Sequence, residues 1–258
     1  MVDIELLFDV GNSNTMIGLY KDGDYITWRL GPSSFETEDS LFVQILTLLN
    51  RFNISIEEIN SCGVSSVVPN VNFILEQMIK KYFNMKPVFV STIHKIDNIA
   101  YLVDYPKEIG ADRLCNVIGS KVEYGDDVIS IDFGTAITID VLENGNFVGG
   151  AIVPGFKTAI GALFSKTAQL PKVEFYIPDY HLGKNTIDNI QIGVIKTIFY
   201  GIERLVEEIK KERKKDFIIV TTGGDMGFFS KEISLFSNYD PYLTLKGIHY
   251  YMKEVNNY

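Results

Sequence analysis

The sequence predicts an α/β protein whose two halves are related to each other. Apolar strand-like runs alternate with amphipathic helical patterns from one end of the chain to the other. One strand–turn–strand motif occurs twice, nearly half the chain apart. The 258 residues are 46% hydrophobic and 22% charged, which is enough apolar material for a sizeable core. The expected fold class is therefore α/β, with mixed sheets flanked by helices.

Hydrophobic periodicity and turn residues place the individual elements in chain order. The strands are predicted at Ile4–Phe8, Met16–Tyr20, Tyr25–Leu30, Cys62–Val68, Val88–Val90, Val128–Ile131, Ile137–Leu142, Phe147–Ile152 and Phe217–Val220. The helices are predicted at 41–52, with Thr37 or Asp39 as cap, at 73–83 after Pro69, and at 112–122, 186–213 and 245–255. Asn144 and Gly145 form a suitable hairpin turn.

The charge balance excludes several classes of partner. The chain has 33 acidic and 24 basic residues, a net charge of −9 and a pI of about 4.9. Such a field repels nucleic acid and anionic membrane surfaces, so neither is expected as a partner. Two cysteines, Cys62 and Cys115, are too few for a disulfide scaffold or a multi-cysteine zinc site. With no signal-peptide pattern and no membrane-length apolar run, we expect a cytoplasmic protein.

The internal repeat indicates a duplicated domain. Leu6–Thr15 aligns with Ile129–Thr138, and in both segments an apolar strand ends in Asp-x-Gly before a small polar turn. We therefore expect one domain at residues 1–118 and a second at 119–258. The last helix, about 244–258, is able to pack back on the first domain.

The two turns have the chemistry of a phosphate clamp. Asp9 and Asp132 each fix a carboxylate at a strand end, and the glycine two places on lets backbone N–H groups approach a phosphate closely. Neutral donors follow in both turns: Asn12, Ser13, Asn14, Thr15, Thr135 and Thr138. Facing turns of this kind suit a triphosphate with hydrated magnesium. A single Asp-x-Gly is a common turn, so the prediction depends on there being two.

A third cluster lies at the start of a predicted helix, in Gly110–Arg113. Asp112 supplies a base and Arg113 an anion clamp at a helix end that favours anions. Taken alone, these two residues fit better an Asp that stabilises a helix start and a surface arginine. The chain has no P-loop, no G-x-G-x-x-G after a strand and no kinase H-R-D sequence. Its three histidines are far apart in the sequence, so carboxylates are left as the groups for proton transfer.

Seven ordered stretches together resemble the type III pantothenate kinases, of the sugar kinase, heat-shock ATPase and actin superfamily. They are Asp9–Thr15, Ser65–Pro69, Gly110–Arg113, Asp132–Ala136, Gly149–Gly155, Gly183–Thr186 and Thr222–Gly224. Any one is weak, but the ordered set spans nearly the whole chain. The resemblance implies duplicated actin-like (ribonuclease H-like) domains with an ATP cleft between them.

The resemblance also implies an activity and its residues. The family transfers the γ-phosphate of ATP to the terminal hydroxyl of pantothenate, giving 4′-phosphopantothenate in the first step of coenzyme A biosynthesis. The implied ATP-binding residues are Asp9, Val10, Gly11, Asn12, Ser13, Asn14, Thr15, Met16 and Thr135. The implied pantothenate contacts are Gly110, Ala111, Asp112, Arg113 and Thr186. Asp112 would be the general base.

Ions and a partner subunit are implied by the same resemblance. Asp9 would hold Mg²⁺ through water, and Asp132 would bind a monovalent cation, K⁺ or NH₄⁺. The family typically works as a homodimer, with the substrate site near the subunit boundary.

One stretch departs from the family pattern, which usually has an aromatic-x-Asn-Pro before the glutamate-containing turn. Here Val103 stands at the tyrosine position and Tyr105 at the asparagine position, so Tyr101 or Tyr105 is expected to cover the substrate. Two other functions are open to such a chain: a non-catalytic regulatory relative, and a kinase of the same superfamily acting on a sugar or small acid. The presence of Asp9, Asp112 and Asp132 favours an enzyme, and Gly110–Arg113 with Gly183–Thr186 favours pantothenate.

Overall fold

The structure is a computed structural model that describes residues 4–94, 96, 98–166, 170–171, 173–225 and 238–256. The chain divides into two compact units. Unit 1 comprises residues 1–126, 142–148 and 242–258, and unit 2 comprises residues 127–141 and 149–241. The domain boundary expected at residue 118 lies inside a helix, and unit 1 extends to residue 126.

The elements follow in chain order. The strands are β1 Ile4–Val10, β2 Thr15–Lys21, β3 Asp24–Leu30, β4 Ile59–Ser66, β5 Val88–Phe89, β6 Val128–Phe133, β7 Ala136–Glu143, β8 Asn146–Pro154, β9 Ile218–Thr222 and β10 Asn238–Tyr239. The helices are α1 Glu38–Arg51, α2 Pro69–Phe83, α3 Ala111–Tyr124, α4 Phe156–Lys166, α5 Thr186–Gln191, α6 Thr197–Arg213 and α7 Leu243–Asn256. A π-helical stretch, Ile192–Lys196, joins α5 to α6, so the long helix predicted at 186–213 is confirmed.

Unit 1 is built on a mixed five-stranded sheet in the order β3-β2-β1-β4-β5. β2 pairs antiparallel with β1 and β3, whereas β4 pairs parallel with β1 and β5. The apolar side chains of its central strand β1, such as Leu6 and Phe8, are fully buried. Because β1 and β4 run in parallel, both end at the same edge of the sheet.

Helix α1 begins with a reciprocal cap, which resolves the choice between two candidates. Thr37 Oγ1 accepts from the Ser40 N–H at 3.1 Å, and Ser40 Oγ accepts from the Thr37 N–H at 3.2 Å. Asp39 instead accepts hydrogen bonds from Lys81 at 2.5 Å and Tyr82 at 2.7 Å on α2. Thr37 is therefore the cap.

The last helix, α7, packs on α3 and on the sheet of unit 1. An added Cβ at Gly247 would overlap the Cys115 backbone, and one at Gly63 on β4 would overlap side chains of α7. A buried hydrogen bond of 2.8 Å, from Thr244 Oγ1 of α7 to Asn116 Oδ1 of α3, joins the two helices. The helix predicted at 244–258 thus belongs to unit 1, and residues 257–258 lie outside the described part of the chain.

The second sheet has the order β10-β9-β6-β7-β8, with β6 and β10 both parallel to β9. Asn144 (φ 50°) and Gly145 (φ 74°) make the predicted two-residue hairpin turn between β7 and β8. The tip of that hairpin belongs to unit 1, where the Phe147 N–H donates to the Ala100 carbonyl at 2.9 Å.

The predicted fold class is confirmed, since the chain has two five-stranded sheets flanked by helices. Helix α4 was not predicted. Its buried side chains, Phe156 and Ile160, are too few to show a helical period in the sequence. Among the helices of the described ranges, none is long and apolar enough to cross a membrane.

Candidate active site

Asp9 lies at the end of β1, where the strand turns sharply back into β2. The Gly11 N–H donates to the Asn14 carbonyl at 3.1 Å and closes the turn. An added Cβ at Gly11 would lie 3.1 Å from that same carbonyl oxygen, so glycine suits this tight loop. Asn12, Ser13 and Asn14 are exposed, whereas Thr15 is buried and Met16 is half-buried. The turn therefore presents polar groups to solvent above a rigid strand, as a phosphate-binding loop requires.

Helix α3 places the second carboxylate of unit 1. Asp112 lies in the first turn of the helix, and its Oδ1 accepts from the Arg113 N–H at 2.7 Å. An added Cβ at Gly110 would lie 2.6 Å from the same oxygen, so this carboxylate position depends on a glycine. Asp112 is half-buried, which leaves part of its carboxylate accessible to a ligand.

Asp9 and Asp112 act on a common neighbour inside unit 1. Burial raises the pKa of the Cys115 thiol well above its usual range, and the negative charges of Asp9 and Asp112 add to this rise. Cys115 lies on α3 one turn after Asp112, and it is fully buried. The two carboxylates that the sequence singled out in the first half are therefore brought to the same part of unit 1.

Arg113 is oriented by an aromatic ring that the sequence analysis did not single out. Its guanidinium carbon lies 5.6 Å from the centre of the Phe147 ring, a cation–π arrangement. Phe147 is buried, and its backbone is held by hydrogen bonds to Ala100 and Leu102. No short-range sequence signal links these residues, because they meet through a hairpin tip more than 30 positions further along the chain.

In unit 2, Asp132 lies near the end of β6 and is half-buried. Its backbone pairs in register with Thr222 of β9. Gly223, which follows, has φ +95°, and an added Cβ there would lie 2.5 Å from Asp132 Oδ1. The Thr222-Gly223-Gly224 turn thus packs directly against the carboxylate, which accounts for glycine at this position.

The turn that carries Thr135 is held by the start of α4. The Thr135 carbonyl accepts from the Gly155 N–H at 3.0 Å and from Thr158 Oγ1 at 2.7 Å. An added Cβ at Gly155 would overlap the carbonyl oxygens of Gly134 and Thr135. Thr135 itself is exposed, so its side chain is presented outward from a fixed backbone.

An ion pair that the sequence did not reveal fastens α4 to the glycine turn after β9. Lys157 Nζ lies 2.5 Å from Asp225 Oδ1, and the Asp225 N–H donates to the Phe133 carbonyl at 3.2 Å. Asp225 is buried, with 8% of its surface exposed, whereas the Lys157 side chain is largely exposed. This pair therefore ties together three segments around Asp132.

Thr186 is the first residue of α5 and is exposed. Asn185 caps this helix, with its Oδ1 accepting from the Asp188 N–H at 2.9 Å. Tyr180 Oη donates to Asp188 Oδ2 at 2.7 Å and fixes the preceding loop. The Gly183–Thr186 stretch is thus an ordered loop that leads into a helix of unit 2.

The two aromatic residues expected to cover the substrate, Tyr101 and Tyr105, have different environments. Tyr101 is half-buried and pairs with Phe147 as an isolated β-bridge. Burial raises the pKa of the Tyr101 phenol, whose buried oxygen has no hydrogen-bond partner in the part of unit 1 that is described. Tyr105 is 69% exposed. Tyr105 is therefore the one with freedom to move over a ligand.

The acidic residues of the candidate site are separate carboxylates, and the described ones do not surround a metal position as a cluster. Within the ranges that the structure describes, no three His, Cys, Asp or Glu side chains come together as a metal site. Mg²⁺ commonly binds through one or two carboxylates, with water and substrate phosphates as its other ligands. Asp9 fits this mode. Asp132, beside the backbone carbonyls of its turn, offers the oxygen ligands that a monovalent cation takes.

Comparison with solved structures shows the fold class. A "conserved putative Baf family transcriptional activator" from Campylobacter jejuni aligns with a TM-score of 0.58 at 22% identity, covering 98% of this chain and 100% of that one. A putative sugar kinase from Cytophaga hutchinsonii aligns with a TM-score of 0.51 at 14% identity, covering 97% and 100%. The chain has the two-unit α/β fold of the class that includes sugar kinases and actin.

Sequence comparison narrows this class to one family. The family model described as type III pantothenate kinase matches residues 5–208. A type III pantothenate kinase from Petrotoga mobilis is 73% identical, covering 98% of this chain and 99% of the relative. Another from Kosmotoga olearia is 42% identical, covering 98% and 97%. The chain belongs to the type III pantothenate kinase family, as its motifs predicted.

Proposed function

We propose that this chain transfers the γ-phosphate of ATP to the terminal hydroxyl of pantothenate, with Asp112 as the general base. The observation that carries the proposal is 73% identity over nearly the full length to a type III pantothenate kinase. As a member of this family the chain is an ATP-dependent kinase, and such enzymes use ATP with a divalent metal. The product would be 4′-phosphopantothenate.

The position of Asp112 supports its role as a base. An alcohol is a poor nucleophile, so a carboxylate that accepts its proton during transfer assists the reaction. The backbone N–H of Arg113 holds one oxygen of Asp112 at 2.7 Å, which orients the group. Phosphoryl transfer has a loose transition state, so this base does not have to be strong.

The turn between β1 and β2 supports ATP binding. We propose that its backbone and polar side chains, Asp9 to Met16, contact the phosphates and that Asp9 holds hydrated Mg²⁺. Bound Mg²⁺ would supply charge neutralisation for the phosphate oxygens. Thr135 would add a contact to ATP from unit 2, presented by the turn that Gly155 and Thr158 hold.

The acceptor is proposed to lie against the first turn of α3. Gly110 and Ala111 would offer backbone N–H groups, and Arg113 would bind an anionic group, either the carboxylate of pantothenate or the transferring phosphate. The ring of Phe147 limits where the guanidinium of Arg113 can go. Thr186 would contribute a further hydroxyl contact to pantothenate.

A monovalent cation, K⁺ or NH₄⁺, is proposed to bind at Asp132. The Asp132 carboxylate would otherwise repel the ATP phosphates, and a cation there would offset this repulsion. The close packing of Gly223 against Asp132 leaves the carboxylate little room to turn away.

A homodimer is proposed from an exposed apolar surface of unit 2. Four large side chains are exposed around the start of α5, and we call this set the α5 patch: Tyr180, Leu182, Ile187 and Tyr200. His181 Nε2 lies 3.0 Å from Tyr200 Oη, so the loop and the long helix form one surface. Leu182 is the most exposed of the four, at 80%, and exposed apolar side chains that cluster in this way mark interaction surfaces. Thr186 lies in the same segment.

The proposal is tested by coupled measurement of ADP release with Mg-ATP, pantothenate and K⁺. We expect turnover that depends on pantothenate, and a loss of about 100-fold or more in kcat for Asp112→Asn, the usual scale for a general base. Asp104→Asn, in the nearby loop, is the matched control and should retain wild-type kcat. A wild-type protein that hydrolyses ATP without pantothenate, or prefers a sugar, would refute the proposed substrate. An Asp112→Asn variant with normal kcat would remove Asp112 from the role of base.

A further inference from the structure

A buried serine lies beside the Asp9 carboxylate, on the strand next to β1. The parallel pairing of β1 with β4 sets Ser65 opposite Asp9. Ser65 Oγ donates to Asp9 Oδ1 at 3.4 Å, and the residue is fully buried. Water cannot readily replace a donor at such a position, so this hydrogen bond is set by the register of the two central strands.

The surroundings of Ser65 determine which way its hydroxyl proton points. The Cys115 thiol of α3 lies within hydrogen-bonding reach of Ser65. Burial raises the pKa of this thiol, and its hydrogen bond with Ser65 lowers it, so the sulfur is a second acceptor within reach of the Ser65 hydroxyl. A hydroxyl has one proton to give. In the structure Ser65 Oγ directs that proton to Asp9 Oδ1.

We propose that Ser65 is a positioning residue for phosphoryl transfer, which holds the Asp9 carboxylate in the orientation that receives the hydrated Mg²⁺ of Mg-ATP. This inference rests on the role proposed above for Asp9 and adds a residue to it. Ser65 touches the carboxylate and not the substrate. Its effect therefore belongs to Mg-nucleotide binding and kcat, and not to the affinity for pantothenate.

The neighbouring serine provides a matched control. Ser66 is the next residue of β4, so its side chain points to the opposite face of the sheet. Its Oγ accepts from the Val68 N–H at 3.2 Å, in the turn that leads to α2. Ser66→Ala removes the same group from the same strand without touching Asp9.

The binding experiment is a calorimetric titration of each variant with Mg²⁺ and a non-hydrolysable ATP analogue. We expect Ser65→Ala to weaken binding by about tenfold, the scale of one hydrogen bond to a charged group. Ser66→Ala should bind as the wild type does. With EDTA in place of Mg²⁺, Ser65→Ala and the wild type should bind the analogue equally. Equal Mg-analogue affinity of Ser65→Ala and wild type would overturn the inference.

Kinetics and stability separate positioning from a general loss of structure. We expect Ser65→Ala to lower kcat with the KM for pantothenate unchanged, and Ser65→Thr, which keeps a hydroxyl, to recover part of the Mg-analogue affinity. Ser65→Cys keeps the volume and loses the strong donor, and it serves if Ser65→Ala does not fold. A lower unfolding temperature with unchanged nucleotide binding would show a purely structural role and refute the inference. A wild type without pantothenate turnover would refute the proposed function, while the titration would still decide the role of Ser65.

Discussion

Glycine residues determine where the acidic side chains of both units can lie. A methyl group at Gly110 would meet Asp112 Oδ1, and one at Gly223 would meet Asp132 Oδ1. In each case the carboxylate oxygen occupies the space that the Cβ of any other residue would fill at the glycine position. Gly223 also has φ +95°, a conformation that other residues rarely adopt. The position of each carboxylate thus depends on a neighbouring glycine.

Asp132→Asn tests the cation site at this scale. Loss of the carboxylate charge should abolish the difference between K⁺ and Na⁺, because the amide holds a monovalent cation much more weakly. Initial rates and calorimetric affinities for Mg-ADP, measured in KCl and in NaCl at equal ionic strength, give the readout. In wild type we expect severalfold higher activity and tighter nucleotide binding in K⁺.

Asp126→Asn is the control for that experiment, since Asp126 is an exposed residue that lies 4.0 Å from Lys121 Nζ. It should keep the wild-type preference for K⁺. A preference for K⁺ that persists in Asp132→Asn would contradict the assignment of the cation to this carboxylate.

At the level of single residues, the sequence could indicate the acids but not the groups that hold them. Asp9, Asp112 and Asp132 stand in local patterns, each with a glycine within two positions. Ser65, Phe147 and Lys157 also have a glycine within two positions, so this pattern does not distinguish them, and the sequence assigned none of them a contact. Their roles arise from strand register, a hairpin tip and a helix start, all of which join residues that are far apart in the chain. Only the tertiary structure brings them to the site.

Helices α3 and α7 of unit 1 pack closely against each other. An added Cβ at Gly119 would lie 2.7 Å from the Leu243 carbonyl, and one at Gly247 would overlap Cys115. Lys246 Nζ of α7 lies 2.8 Å from Glu123 of α3, and His249 Nδ1 of α7 lies 2.6 Å from Glu5 of β1. Burial alone would raise the pKa of Glu123, but the hydrogen bonds from Lys246 and Tyr250 lower it.

Gly247→Ala is expected to destabilise the protein by about 2–3 kcal/mol, because its methyl group meets backbone atoms that cannot move aside easily. Gly201→Ala on α6 is the matched control, since an added Cβ there has open space. It should stabilise by about 0.5–1 kcal/mol through better helix propensity. Urea unfolding followed by circular dichroism measures both. Equal stabilities of the two variants would show that α7 does not pack on α3 as described.

Elements with strong periodicity could be predicted from sequence, and those with weak periodicity could not. The strands β1 to β3 and the helices α1, α2 and α3 lie where alternation or helical spacing placed them. Helix α4 has only two buried side chains, and β10 has two residues. The stability of such short elements comes from tertiary contacts, such as that of α4 with the Thr135 turn, which sequence spacing does not show.

At the scale of the whole molecule, unit 1 is assembled from three separate parts of the chain. The two ends of the described sequence, β1 and α7, lie together in it, and the hairpin tip at Phe147 supplies the third part. Unit 2 keeps the α5 patch exposed. We propose a second copy of the chain as the partner for this surface.

We expect light scattering after size exclusion to give twice the chain mass of 29.1 kDa. Leu182→Glu places a charge in the α5 patch and should give a monomer, because an unpaired charge is costly to bury in an interface. Val122→Glu, at an exposed apolar position on α3 of unit 1, should remain a dimer. A monomeric wild type, or a dimeric Leu182→Glu, would contradict the proposed interface.

The place of α7 has a consequence for synthesis of the protein. Ribosomes make the five strands of the first sheet early, but the helix that covers Gly63 of β4 comes at residues 243–256. At a synthesis rate of about 5–20 residues per second, this face of the sheet stays uncovered for on the order of ten seconds. During that interval the nascent chain exposes apolar surface, so we expect chaperones to engage this protein mainly before its final helix emerges.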